Sequence, residues 1–95
     1  ELVLKAQADG ASDVDAARAA AEADPRDKAL KLRLAEALAA AGTYEEALAI
    51  ALDLVEVDRK GTGEEARKLM LAVFQLLPED SDLAFQYRRR LSFAL

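Results

Sequence analysis

Carboxylate pairs are the side chains of this sequence that could most readily carry chemistry. Glu45-Glu46 and Glu64-Glu65 each stand at the start of a candidate helix. Neighbouring carboxylates can act as general acid and general base only where a pocket shifts their pKa values. A helix start that faces water provides no such pocket, whereas acidic side chains there complement the helix dipole. The pairs therefore indicate helix starts and not a catalytic centre.

A second acidic cluster, Glu79-Asp80-Ser81-Asp82, has the oxygen atoms that calcium prefers. It lacks the glycine-centred loop of the helix–loop–helix calcium sites, so it favours a turn, with Asp80 or Ser81 as the cap of the next helix. The sequence contains no Cys and no His, which removes thiol nucleophiles, Cys-based zinc sites and imidazole bases. We expect no metal, no cofactor and no enzymatic activity in this chain.

The overall charge and hydropathy exclude two further classes of function. The formal net charge is −5, from 13 basic and 18 acidic residues, whereas nucleic-acid surfaces need concentrated Lys and Arg. The longest apolar runs are about six residues, well below the roughly 20 that span a bilayer, and no signal peptide is visible. We expect a cytoplasmic protein that binds neither nucleic acid nor membrane. Because residue 1 is Glu and not Met, we also expect it to be part of a longer protein.

The elements that position these residues are predicted to be helices. The chain has 22 Ala and 16 Leu among its 95 residues, but only four Gly and two Pro, which favours one small all-α domain over residues 1–95. Asp27 is a candidate helix cap, and Gly42 stands where a left-handed residue would end a helix. The breakers divide the sequence into about six predicted helices, at about 1–9, 13–23, 28–41, 44–58, 64–77 and 83–95.

Two helix starts carry the capping-box spacing, in which a hydroxyl residue is followed three positions later by an acidic one. Thr43 with Glu46 is a full capping box, and Thr62 with Glu65 repeats the spacing. The helix that follows Thr43 is apolar on most of its sides, which is typical of a helix sandwiched between two others. We therefore expect this helix to lie between two others.

The helices at 28–41 and 44–58 fit the template of the tetratricopeptide repeat, a pair of antiparallel helices. The matching positions are Leu34-Ala35, Leu38, Gly42, Tyr44 and Ala47. The template's Trp and Phe are replaced by Lys31 and Ala51. Because one repeat cannot bury its own apolar face, the flanking helices are predicted to act as partial or capping repeats. We expect a right-handed helical-repeat arrangement.

A narrower resemblance lies in the order of four segments. The chain is similar to the C-terminal end of bacterial thioredoxin-like co-chaperones, the YbbN/CnoX or chaperedoxin family, at residues 32–38, 42–48, 66–68 and 87–91. The resemblance implies an N-terminal thioredoxin-fold domain upstream, where any redox activity would reside. It also implies the holding of unfolded clients, their transfer to the chaperonin and to DnaK, and chaperonin docking through the last helix.

The last predicted helix holds our candidate partner-binding residues: Phe85, Tyr87, Arg88, Arg89 and Phe93. One apolar stripe of this helix, at four-residue spacing, comprises Leu83, Tyr87, Leu91 and Leu95. Phe85 and Phe93 lie off that stripe, so they either present a binding surface or cover the preceding helix. The three consecutive arginines could recognise an acidic partner or a nucleic acid, but successive helix positions point in different directions and do not make one patch, which favours a solvated helix end.

Lys28, Lys31 and Arg33 are a weaker candidate site, because some tetratricopeptide proteins hold a peptide carboxylate with Lys, Asn and Arg. The chain has no Asn, which argues against that clamp.

Two hypotheses remain open: an interaction module of a thioredoxin-like co-chaperone, or a structural or oligomerising domain of an unrelated upstream enzyme. The pattern leaves the oligomeric state open.

Overall fold

The expected all-α fold is confirmed. The computed structural model describes residues 14–95, and within them the chain forms five helices and no strand. The first predicted helix, at residues 1–9, lies outside the described residues. The described helices are α1 at 14–23, α2 (Lys28–Ala40), α3 (Tyr44–Val57), α4 (Thr62–Leu76) and α5 (Asp82–Ala94).

Two of the predicted caps and the predicted glycine turn are confirmed. The Asp27 carboxylate accepts a hydrogen bond from the backbone N–H of Leu30 (3.1 Å), and the Ser81 hydroxyl accepts one from that of Ala84 (3.2 Å). Gly42 has a φ of +84°, the left-handed conformation that ends α2. The N–H of Thr43 reaches the carbonyl of Leu38 (2.9 Å), which completes a Schellman turn.

The capping box predicted at Thr43 is wrong, because its side-chain hydrogen bonds do not form although the helix begins where expected. Thr43 occupies the cap position of α3 but makes no side-chain cap hydrogen bond. The Glu46 carboxylate instead accepts two hydrogen bonds from the guanidinium of Arg18 on α1, at 2.7 and 3.0 Å. A bidentate, charge-assisted pair outcompetes a bond to a single solvated backbone N–H. Glu46 therefore joins α1 to α3.

The capping box predicted at Thr62 is also wrong. Gly61 takes the cap position and α4 begins at Thr62, two residues earlier than predicted. The Asp58 carboxylate accepts hydrogen bonds from the Thr62 hydroxyl (2.7 Å) and backbone N–H (2.9 Å). These bonds lower the pKa of Asp58, the hydroxyl bond having the larger effect. The end of α3 thus caps the start of α4, and Glu65 lies 3.6 Å from Lys68 instead.

Helix α3 is the centre of the fold, as its apolar sequence predicted. It packs against α2, α4 and α5, and complete burial of a Leu or Val side chain stabilises the folded state by about 1.5–3 kcal/mol. Six of its residues are buried, more than in any other helix that the structure describes: Ala47, Leu48, Ala51, Leu52, Leu54 and Val55.

Small residues set how closely the helices approach. Ala35 on α2, Ala51 on α3 and Ala66 on α4 are completely buried, so the helix backbones can meet without intervening bulk. Gly63, in the first turn of α4, is also buried. A Cβ at Gly63 would collide with the backbone carbonyl of Asp58 and would lie 2.8 Å from that of Leu54. Gly63 lies between the predicted helices at 44–58 and 64–77, but the structure places it in α4, where it contacts the end of α3.

We predict that Gly63→Ala lowers the free energy of unfolding by about 1–3 kcal/mol, because backbone carbonyls cannot move aside as a flexible side chain can. The loss should appear although Ala is the better helix former. Urea and thermal unfolding followed by circular dichroism measure it. Ser92→Ala, at an exposed position of α5, is the control and should change stability by less than about 0.5 kcal/mol. Wild-type stability in Gly63→Ala would contradict the close contact.

Candidate functional site

The five candidate residues of α5 do not share one surface. Tyr87 is only 7% exposed and packs with Ala84 and Leu91 into the main core. Phe85 and Phe93 are 66% and 79% exposed. Tyr87 is therefore corrected from a candidate contact residue to a core residue, and the two phenylalanines do not cover the preceding helix. Leu95, which shares the four-residue stripe with Tyr87, is 56% exposed.

Phe85, Arg89 and Phe93 form the outer stripe of α5. They are spaced four residues apart, so they follow one another along the same face, and all three are exposed. The Arg89 guanidinium lies 6.0 Å from the centroid of the Phe93 ring. This is the distance of a cation–π contact. The outer stripe combines two large apolar surfaces with a positive charge.

The three consecutive arginines contact three different aromatic rings. The Arg88 guanidinium lies 5.4 Å from the Phe74 centroid, and that of Arg90 lies 5.2 Å from the Tyr87 centroid. Arg89 contacts the ring of Phe93 in the outer stripe. The prediction that they point in different directions is confirmed. Across residues 14–95, the ion pairs are Arg18–Glu46 and Lys68–Glu65, so no described carboxylate pairs with these arginines.

A groove of about 470 Å³ runs between α4 and α5. Helix α5 packs more extensively on α3 than on α4, and this leaves the groove open. Its lining includes Leu71, Phe74 and Gln75 from α4 and Arg88, Leu91 and Leu95 from α5. This groove was not predicted from the sequence. Its only signal there was Leu71, a large apolar residue with no assigned role.

Two further grooves flank α1. One, between α1 and α2, is about 540 Å³ and is lined mainly by alanines together with Leu30 and Arg33. The other, about 560 Å³, is bounded by α1, α2 and α3 and is lined by Lys31, Leu34 and Ile50 among others. Lys31 and Arg33 therefore face different grooves. The structure does not bring them together as a carboxylate clamp.

The Arg18–Glu46 pair forms part of the lining of the groove bounded by α1, α2 and α3. Hydrogen bonds from the Arg18 guanidinium lower the pKa of the Glu46 carboxyl, and its positive charge adds to the effect. Both side chains are 39% exposed, so water and salt weaken their attraction. The pair fixes the position of α1 but shows none of the burial that a catalytic carboxylate needs.

The carboxylate clusters do not converge on a metal site in the part of the chain described. Within residues 14–95, no three acidic side chains come close enough to hold a metal ion. Glu79 and Asp80 lie exposed in the turn before α5, as predicted for that run. None of the described helices is both long and apolar enough to cross a bilayer.

The helix pairs and their packing define a helical-repeat protein, and comparison with protein families identifies which one. The family model of the tetratricopeptide repeat matches residues 7–95, so the chain belongs to the tetratricopeptide repeat family. Domains of this kind generally mediate protein–protein interactions. Comparisons with curated proteins and with solved structures give no significant match.

We predict opposite outcomes for two aromatic residues of α5. Phe93→Ser should change the free energy of unfolding by less than about 0.5 kcal/mol, since the ring is exposed. Tyr87→Ala should lower it by about 3–5 kcal/mol, since it leaves a cavity among Ala84 and Leu91. Urea unfolding of the two variants beside the wild type measures both values. A strongly destabilised Phe93→Ser protein would place Phe93 in the core.

We also predict that the contribution of Glu46 to stability depends on pH. Because its folded-state pKa lies below the ordinary value of 4.5, its carboxylate stabilises the fold fully above that pH. The contribution is lost as the pH falls through the lowered pKa. Glu46→Gln should therefore be less stable than the wild type at pH 7, and the two should converge as the pH falls below 4.5 and through the lowered pKa.

Thermal unfolding at a series of pH values tests this convergence. Glu45→Gln is the matched control, because Glu45 is the exposed neighbour of Glu46 in the same helix turn. The difference in unfolding temperature between Glu45→Gln and the wild type should change less with pH than the difference for Glu46→Gln. A constant difference between the wild type and Glu46→Gln over the whole range would show that the ion pair contributes nothing.

Proposed function

We propose that the chain is a non-catalytic interaction module of a cytoplasmic thioredoxin-like co-chaperone, which helps to hold unfolded clients and docks on a chaperone. The observation that carries this proposal is the outer stripe: the chain exposes Phe85 and Phe93 on its last helix although its core is thin. Membership of the tetratricopeptide family supports protein binding in general. The co-chaperone assignment rests on the sequence resemblance at residues 32–38, 42–48, 66–68 and 87–91.

Helix α5 presents the outer stripe on a rigid support. Ala84, Tyr87 and Leu91 fix one side of the helix in the core, so the opposite side reaches a partner without first having to be ordered. Exposed aromatic rings bury large apolar areas at little cost in side-chain entropy. Arg89 would add a charged contact beside Phe93. Such a small stripe favours reversible binding, as client transfer requires.

The proposal places the redox chemistry elsewhere. The chain has no Cys, so any disulfide chemistry belongs to an upstream thioredoxin-fold domain. The chaperonin and DnaK are the expected chaperone partners, by resemblance. The net charge of −5 helps to keep a complex with an unfolded client in solution.

Binding to purified chaperonin, measured by biolayer interferometry, tests the docking role. Phe85→Ser and Phe93→Ser should each weaken binding by about tenfold or more, as expected for aromatic anchors. Leu76→Ser is the matched control, because Leu76 on α4 is 66% exposed, as Phe85 is, and lies outside the outer stripe. Its binding should be unchanged. Equal loss in all three variants, or no binding by the wild type, would count against docking through α5.

A client-aggregation assay tests the holding role separately. The protein should suppress aggregation of a chemically unfolded client when present in excess, and the effect should weaken in the Phe85→Ser, Phe93→Ser double variant. If the wild type suppresses no aggregation, client holding does not belong to this module.

A structural or oligomerising role is the alternative, and the same exposed stripe favours it. Two copies of α5 could bury their phenylalanines against each other. Sedimentation velocity over a range of concentrations separates the two functions. A dimer that Phe93→Ser converts to a monomer would support the alternative, whereas a monomer at all concentrations leaves the outer stripe free for a different protein.

A further inference from the structure

We propose that the groove between α4 and α5 binds an acidic segment of a protein partner, with aliphatic side chains of the segment in the groove and one of its carboxylates on Arg88. This surface is distinct from the outer stripe and does not depend on it. The inference extends the proposed interaction function to a second site on α5.

The shape of the groove fits a peptide segment. Phe74 and Leu91 are buried core residues that reach its lining, and Leu71 and Leu95 line it as exposed apolar residues. Its volume of about 470 Å³ is in the range of sites that bind ligands in proteins. The groove is open to solvent, so a peptide segment can enter it. Apolar side chains entering it would cover Leu71 and Leu95.

The charge of the groove selects an acidic occupant. Arg88 lies over the Phe74 ring at 5.4 Å, and this contact holds its guanidinium at the groove. Within residues 14–95, no carboxylate forms an ion pair with Arg88. Arg89 and Arg90 follow directly in the sequence, which makes this end of α5 positive in a chain whose net charge is −5. A guanidinium held in this way can accept a carboxylate in bidentate geometry.

Charge complementarity also distinguishes this occupant from the other candidates. An apolar client segment without acidic residues would leave Arg88 unpaired, and a basic segment would be repelled by Arg88, the arginine that lines the groove. A segment that alternates aliphatic and acidic side chains satisfies both the groove and Arg88.

A random-peptide display selection on the intact chain, followed by NMR mapping, tests the inference. The selected peptides should be enriched in Asp or Glu next to Leu, Ile or Met, and should shift the amide resonances of Leu71, Gln75 and Leu95. Replacing Glu by Gln in the peptide should weaken binding by about tenfold or more. The affinity should also fall as salt is added, because an exposed charge contact is screened.

Arg88→Gln and Arg90→Gln are a matched pair of variants, because each removes one positive charge from the same turn. Arg88→Gln should reduce the affinity of the acidic peptide by about tenfold. Arg90→Gln, whose arginine lies over Tyr87 instead, should reduce it by less than about twofold. Both variants should unfold at the wild-type temperature, which shows that the loss is not structural.

The inference is overturned if the selected peptides lack acidic residues or if no peptide binds. It is also overturned if Arg88→Gln and Arg90→Gln lower the peptide affinity equally, or if the amide resonances that shift are only those of Phe85 and Phe93. Shifts of the Leu71 and Leu95 resonances that depend on protein concentration without peptide would assign the groove to a second copy of the chain. The outer-stripe variants test chaperone docking in a separate experiment. A negative result at the groove therefore does not bear on the docking proposal.

Discussion

The packing of α3 against three other helices is the constraint on which the rest of the structure depends. Its buried residues supply both hydrophobic clusters: Ala47 belongs to the cluster with α1 and α2, and Leu48 to the cluster with α4 and α5. The Asp58 cap and the Gly63 contact then fix the direction in which α4 leaves α3. Helix α5 follows, packs mainly on α3, and leaves the groove beside α4 open. The candidate surfaces on α5 are therefore consequences of how α3 is covered.

The interiors of the helices could be predicted from the sequence, because apolar spacing and helix propensity act locally. The positions of Met70, Val73 and Phe74 in the core, and of Gly42 in a left-handed turn, follow from such local rules. The two capping boxes could not be predicted in the same way. Glu46 finds a partner 28 residues away in Arg18, and Thr62 finds Asp58 at the end of the preceding helix. Those tertiary partners compete with the local cap and are invisible in a spacing pattern.

The candidate site could also be predicted only as far as local helical spacing allows. Helical spacing separates Phe85 and Phe93 from the stripe that contains Tyr87, but it does not say whether a second face meets solvent or a neighbour. The exposure of both rings depends on how α5 packs on α3 and α4, which is a tertiary relation that helical spacing does not contain. The groove beside Arg88 was missed for the same reason, since it exists only between two helices.

The attachment of α1 has a consequence for how the molecule moves. Among residues 14–23, Ala21 is the one buried apolar side chain, and both partners of the Arg18–Glu46 bond to α3 are 39% exposed. A helix held by methyl groups and one solvated ion pair opens at a lower free energy than a helix anchored by leucine or tyrosine. Within the described part of the chain, we therefore expect α1 to open locally more readily than α3, α4 or α5.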